Sequence, residues 1–230
     1  MIKLKQVSSL EKIRLNDKLR YKEIKNARVL KGEKFSYQIS ALSDLDPGQL
    51  RVSVDSELKD YIELYFVKNT VMDFPTYEKC KDNDYITKTP GLMPDLLVPA
   101  NDCNNVFVST PNLPATVWIR LCVPQNIHQG KYNINVQFES VYGGETAVKN
   151  LELEVLDIRI PDHDIITTQW FHVDSIASAH GVKIYSKKHW ELIEKYIEMA
   201  SDIGLNMILT PVITPPLDTA VNHQRANVQL

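Results

Sequence analysis

Ile165-Ile166-Thr167-Thr168-Gln169-Trp170-Phe171-His172-Val173 and, further on, Leu205-Asn206-Met207-Ile208-Leu209-Thr210 read as two strands with a helix between them. Ser186 suits the N-cap of that helix, since its hydroxyl can accept from a first-turn N–H. Trp190, Ile193, Tyr196, Ile197 and Ala200 then recur at the 3.6-residue spacing of an amphipathic helix. Gly204 fits the position just past the helix end, where positive φ is cheap only for glycine. Strand, helix, strand is a βαβ unit, which implies parallel strands joined by a right-handed crossover. The grammar before it is different, and the change places a boundary at Asp157–Asp164, with Pro161 as punctuation.

Upstream the chain reads as short strands. Phe35, Tyr37, Ile39 and Ala41 alternate with polar residues, as do Leu50, Val52 and Val54, and then Ile62, Leu64 and Phe66. Val117, Ile119, Leu121 and Val123 form a further run, with Trp118, Arg120 and Cys122 on its other face. Tyr132, Ile134, Val136 and Phe138 follow, Gly143-Gly144 marks a hairpin turn, and Leu151, Leu153 and Val155 close the series. Asp46-Pro47-Gly48 reads as a turn. Residues from about 68 to 104 break the pattern and read as a long proline-containing loop packed onto something. The expected fold is mostly β: an antiparallel β-sandwich over residues 1–160, then the first βαβ portion of a (β/α)8 barrel over 161–230. Such a barrel needs roughly 250 residues. The reading therefore treats the barrel as incomplete and the sequence as cut within Asn227-Val228-Gln229-Leu230, with self-association or poor order expected after about residue 160.

Composition narrows the function classes. The chain has 230 residues, 26 basic against 29 acidic, a net charge of −3 and 43% hydrophobic content. This is ordinary for a folded chain and excludes a disordered or collagen-like one. The balance also lacks the concentrated basic face of an electrostatic nucleic-acid binder. No apolar run reaches the roughly 18 residues of a membrane helix. The opening residues carry no signal-peptide pattern, which favours a cytoplasmic setting. Cys80, Cys103 and Cys122 show no Cys-x-x-Cys spacing and suggest neither a zinc site nor a disulfide framework. Cys122 reads as a small buried hydrophobe, and a Cys80–Cys103 bridge would close the middle loop.

Candidate chemistry sits in the second segment. If Ile166–Asp174 is one strand, Thr168, Trp170, His172 and Asp174 share a face. His172 and Asp174 would then lie at the strand's C-terminal end, where barrel enzymes place their sites. An aromatic ring beside polar donors is also how sugar rings are held. The competing reading has Trp170 filling a core and His172 as a satisfied polar residue near a loop. After the second strand, Pro211, Pro215 and Pro216 stiffen a loop that could aim Thr214 and Asp218 at a ligand, or simply leave Asp218 solvated. Asp162-His163-Asp164 reads as a charged turn rather than a metal site, and His172 and His180 lack zinc-enzyme spacing. No phosphate-cradling glycine loop or nucleophile elbow is present.

These residues resemble glycoside hydrolase family 123 and its DUF4091 relatives. The resemblance is carried by Gln169–Ala177, by His189–Ile197, and most strongly by Asn206–Pro211 continuing through Thr214–Thr219 to Val228-Gln229-Leu230. Pro90–Leu97, Trp118–Pro124 and Gly130-Lys131-Tyr132 resemble the family's first domain. The resemblance implies a sandwich followed by a barrel, a glycan or glycoside substrate, and removal of terminal β-linked N-acetylgalactosamine without metal or organic cofactor. It implies a retaining mechanism in which the sugar's own 2-acetamido group attacks, an Asp orients that group and an adjacent Glu protonates the leaving oxygen. Trp170, His172, Asp174, Thr214 and Asp218 would then line the sugar pocket, with the Asp-Glu pair beyond position 230 and the chain inactive alone. The alternative is a non-catalytic sandwich that scaffolds a barrel or binds carbohydrate itself. Neither reading involves nucleic acid or membrane.

Overall fold

The computed structural model describes residues 1–45, 48–73, 83–161 and 165–209. The chain divides into two compact units, Met1–Pro161 and Asp162–Leu230.

The first unit contains ten strands: β1 (Ile2–Ser8), β2 (Asn26–Lys31), β3 (Lys34–Ser43), β4 (Gln49–Asp55) and β5 (Ile62–Met72), then β6 (Gly91–Pro99), β7 (Val106–Val108), β8 (Pro114–Cys122), β9 (Gly130–Ser140) and β10 (Thr146–Arg159). They form two five-stranded sheets, ordered β1-β3-β8-β5-β6 and β2-β10-β9-β4-β7. Every neighbouring pair is antiparallel except the edge strand β2, which runs parallel to β10. The alternating residues meet in one core: Tyr37, Ile39, Val117 and Ile119 from the first sheet, and Leu50, Ile134, Phe138 and Leu153 from the second. Phe107 links the sheets, its ring 5.2 Å from Phe66 and 6.1 Å from Phe138. Gly143 and Gly144 turn the β9–β10 hairpin at φ 83° and 89°, a conformation glycine adopts without a Cβ clash.

Three readings change. The stretch 68–104 is largely strand: β5 extends to Met72 and β6 pairs with it from Tyr65↔Pro99 to Met72↔Gly91. Pro94 and Pro99 are tolerated because β6 is an edge strand, and the register shift that leaves Asp95 extra accommodates the first of them. Gly48 is required by a close backbone approach, since a Cβ there would lie 2.0 Å from the Ser109 carbonyl oxygen. Asp46 and Pro47 of that turn lie outside the described residues. Cys122 is half-buried rather than buried, on the outward face with Trp118 and Arg120. Cys103 is exposed, and Cys80 lies outside the described residues.

The outer face of the first sheet is also covered. Gln6 and Gln38 are buried beneath the connection from β1 to β2. Gln38 Nε2 donates to the Ser8 and Glu11 carbonyls at 2.9 and 2.7 Å, and Gln6 Nε2 donates to Ile24 and Asn150 at 2.9 and 3.1 Å. Lys149 pins the same connection through Glu23 and holds the Glu23 carboxyl below its ordinary value of 4.5. A carboxyl depressed on folding stabilises above that ordinary value, and the contribution is lost as pH falls through the lower folded value. Glu23→Gln should therefore cost under about 1 kcal/mol at neutral pH and less at about pH 3. Thermal melts at both pH values check this; an equal cost at both would refute it.

The second unit holds β11 (Thr168–Trp170), α1 (Val173–Ala179), α2 (Lys187–Asp202) and β12 (Met207–Leu209). β11 and β12 pair in parallel, Thr168↔Met207 through Trp170↔Leu209, so the strand–helix–strand order is a βαβ unit. Asn206 extends the pairing: its Oδ1 accepts from Thr167 N at 2.8 Å and its Nδ2 donates to the Ile165 carbonyl at 2.9 Å. Ser186 caps α2 by accepting from His189 N at 3.3 Å, and Gly204 follows the helix at φ 101°. The charged side of α2, Lys187, Lys188, Glu191, Glu194 and Lys195, is exposed. Val173, Ile176 and Ile193 form a small core between the helices, and Met207, Ile208 and Leu209 remain exposed.

Candidate functional site

β11 is shorter than the strand read from the sequence, and this reorganises the candidate residues. The last ladder contact is Trp170↔Leu209, followed by a bond from Phe171 N to the Leu209 carbonyl at 2.9 Å. Among the described residues no strand pairs with the chain beyond that point, and it turns into α1. Thr168 and Trp170 remain on a strand, His172 becomes the residue before α1, and Asp174 enters the first helical turn. The period-two face proposed for Thr168, Trp170, His172 and Asp174 therefore does not extend past Trp170.

Trp170 and His172 are nevertheless brought together. Their rings stack with centroids 5.7 Å apart and planes 13° from parallel. Trp170 stands at the C-terminal end of β11 and is 62% exposed, so it does not fill a core. His172 is half-buried. Asp174 is buried, and its Oδ1 accepts from Ser175 N at 3.0 Å. Thr214 and Asp218 lie outside the described residues, as do Asp162, His163 and Asp164. Among the described residues, no group of three or more His, Cys, Asp or Glu side chains could hold a metal. No helix among them is long and apolar enough to cross a membrane.

Sequence periodicity missed His189. Trp190, expected on the packed face of α2, is 46% exposed and stacks on Tyr185 at 5.9 Å, whereas His189 is fully buried. His189 Nδ1 accepts from Tyr185 N at 2.9 Å, and Nε2 lies 2.7 Å from the Val173 carbonyl. This pairing assigns the neutral Nε2–H tautomer, since the backbone N–H needs a lone pair and the carbonyl needs a proton. His189 thus ties the first residue of α1, and with it the turn carrying His172, to the first turn of α2. Its i,i+4 relation to buried Ile193 was the available signal. The exposed His180 lies 3.0 Å from the Tyr196 hydroxyl.

Residues 170–230 match the family described as glycoside hydrolase 123, catalytic domain. Among solved structures, a family 123 glycoside hydrolase from Clostridium perfringens covers 93% of this chain at a TM-score of 0.73 and 14% identity. The chain spans 38% of that protein. AvmM, which catalyses macrocyclization in alchivemycin A biosynthesis, matches 71% of this chain and 92% of its own at 12% identity and a TM-score of 0.35. The sialic acid binding region of a Streptococcus sanguinis adhesin matches 65% of this chain and 32% of its own at 19% identity and a TM-score of 0.30. Likeness that slight has no bearing on function. No curated protein matches the chain. Over residues 170–230 the chain is thus similar to the glycoside hydrolase 123 catalytic domain, and its fold is that of part of a family 123 glycoside hydrolase.

Proposed function

We propose that the chain supplies the sandwich and the first βαβ unit of a glycosidase that removes terminal β-linked N-acetylgalactosamine. The observation that carries this reading is the family match over residues 170–230. The Clostridium perfringens relative is described for glycolipid glycan hydrolysis, which supports a glycan substrate. In the proposed retaining route, the acetamido oxygen of the sugar forms a bond to the anomeric carbon as the glycosidic C–O bond breaks. An Asp orients the acetamido group, a Glu gives its proton to the leaving oxygen, and water then opens the cyclic intermediate.

This chain's part in that reaction is binding. The Trp170–His172 stack, at the strand end where barrel enzymes build their sites, would hold a sugar ring against the exposed indole. Thr214 and Asp218 are proposed for the same wall. The 230 residues contain no adjacent Asp-Glu pair, so the catalytic carboxylates are proposed to come from outside them. With an aryl β-N-acetylgalactosaminide, the chain should show no turnover above buffer. N-acetylgalactosamine should quench tryptophan fluorescence, with Trp170→Ala weakening that binding up to about tenfold. Robust turnover by the chain, or binding indifferent to Trp170, would sink the assignment.

A further inference from the structure

In the first unit the two sheets leave half of two strands uncovered. β4 pairs with β7 only over Gln49–Arg51, and β5 pairs with β6 only from Tyr65 onward. Ser53 and Val54 on one sheet and Ile62–Leu64 on the other therefore have no strand beside them on that side among the described residues. Alternate backbone N–H and C=O groups along such half-edges need partners from elsewhere. Between the half-edges lies a cleft of about 600 Å³, within the size range of small-ligand sites.

Its walls are polar and electrically balanced. Lys59 and Asp60 come from a 3-10 turn leading into β5. Glu63 accepts from Arg120 Nε at 2.6 Å and from the Tyr65 hydroxyl at 3.0 Å, and the Arg120 guanidinium lies 5.5 Å from the centre of the Tyr65 ring. Asn105 sits at φ 56° with its backbone held at both ends: its N donates to the Ala100 carbonyl at 2.8 Å and its carbonyl accepts from Val52 N at 2.9 Å. Asn101 uses its Oδ1 on Asp102 N at 3.1 Å, which leaves its NH₂ group as donor. Lys59 offsets Asp60, and Arg120 offsets Glu63, so the cleft has no net preference for an anion or a cation.

We propose that this cleft binds a neutral saccharide. Each sugar hydroxyl both donates and accepts, and the wall offers both kinds of group: the amides of Asn101 and Asn105, the Ser53 hydroxyl, the Asp60 carboxylate and the Lys59 ammonium. Tyr65 and Pro99 supply apolar surface for the C–H face of a pyranose. Binding here is not chemistry, because the Glu63 carboxylate is committed to Arg120 and the Tyr65 hydroxyl. Every residue lining the site belongs to the first unit, so the proposal stands or falls independently of the proposed glycosidase.

The test titrates the whole chain with galactose, glucose, N-acetylgalactosamine and lactose by calorimetry, and follows the backbone amides of Ser53 and Asn105 by NMR. Sialic acid and glucosamine serve as charged probes. The expected result is saturable binding of a neutral sugar near about 1 mM, with shifts at Ser53 and Asn105. The Asp60→Ala/Asn101→Ala double variant should weaken it at least about tenfold, with the Ser53 and Asn105 shifts lost in step. Should the double variant melt early, Ser53→Ala provides the same readout. Binding of no neutral sugar up to about 50 mM, preference for a charged sugar, or shifts absent from Ser53 and Asn105 would overturn the proposal.

Discussion

Phe138→Ala should lower the urea midpoint of the strand-rich unit by about 1.5–2.5 M. Phe138 is fully buried on β9, and its ring meets Phe107 edge-on at 6.1 Å and 87°. Phe107 in turn packs on Phe66 from the opposite sheet, so these three rings join the two sheets. Removing a buried phenyl loses its transfer free energy and leaves a cavity, together about 3–5 kcal/mol. Divided by a slope of about 2 kcal/mol/M, that loss gives the expected shift. Phe138→Leu keeps most of the volume and should cost less than half as much. A midpoint shift below about 0.5 M for the alanine variant would mean that the sheets are not joined through this cluster.

His189→Ala should loosen the second unit on a comparable scale. The substitution removes the partner of the buried Val173 carbonyl and of the part-buried Tyr185 N–H, and a buried group left unsatisfied costs about 1–3 kcal/mol. Amides in Val173–Ala179 and Lys187–Asp202 should then exchange with solvent on the order of 100-fold faster, at tenfold per 1.4 kcal/mol. His189→Gln can place an acceptor or a donor on one of the two partners but cannot span both, so it should fall between wild type and alanine. Exchange in α1 that ignores both variants would remove His189 from its role in holding the turn after His172.

The readings that held concern residues whose environment is set by near neighbours in sequence. β3, β8, β9 and β10 were legible because one face of each meets a single shared core, and alternation reports that face directly. Both ends of α2 were legible because Ser186 and Gly204 act within one turn of themselves. The edge strands β1, β2, β6 and β7 were not read. β6 carries prolines that look like loop signals unless its position at the sheet edge is known. The candidate site divides in the same way. Trp170 and His172 are two residues apart and their pairing survives, whereas Asp174 lies in the first turn of α1, held there by packing of that helix against α2.

By itself, then, the sequence determined that a β-rich unit precedes a βαβ unit, where the long helix begins and ends, and which family residues 170–230 resemble. The tertiary structure decided the rest. It buried Gln6 and Gln38 under the β1–β2 connection, put His189 rather than Trp190 against α1, moved Asp174 onto a helix, and left a polar cleft between two half-paired strands. The physical reason is range. Side-chain periodicity and caps record energies within a turn or a pleat, while the second face of a sheet, the partner of a buried polar group and the length of a strand ladder depend on segments far away in the chain.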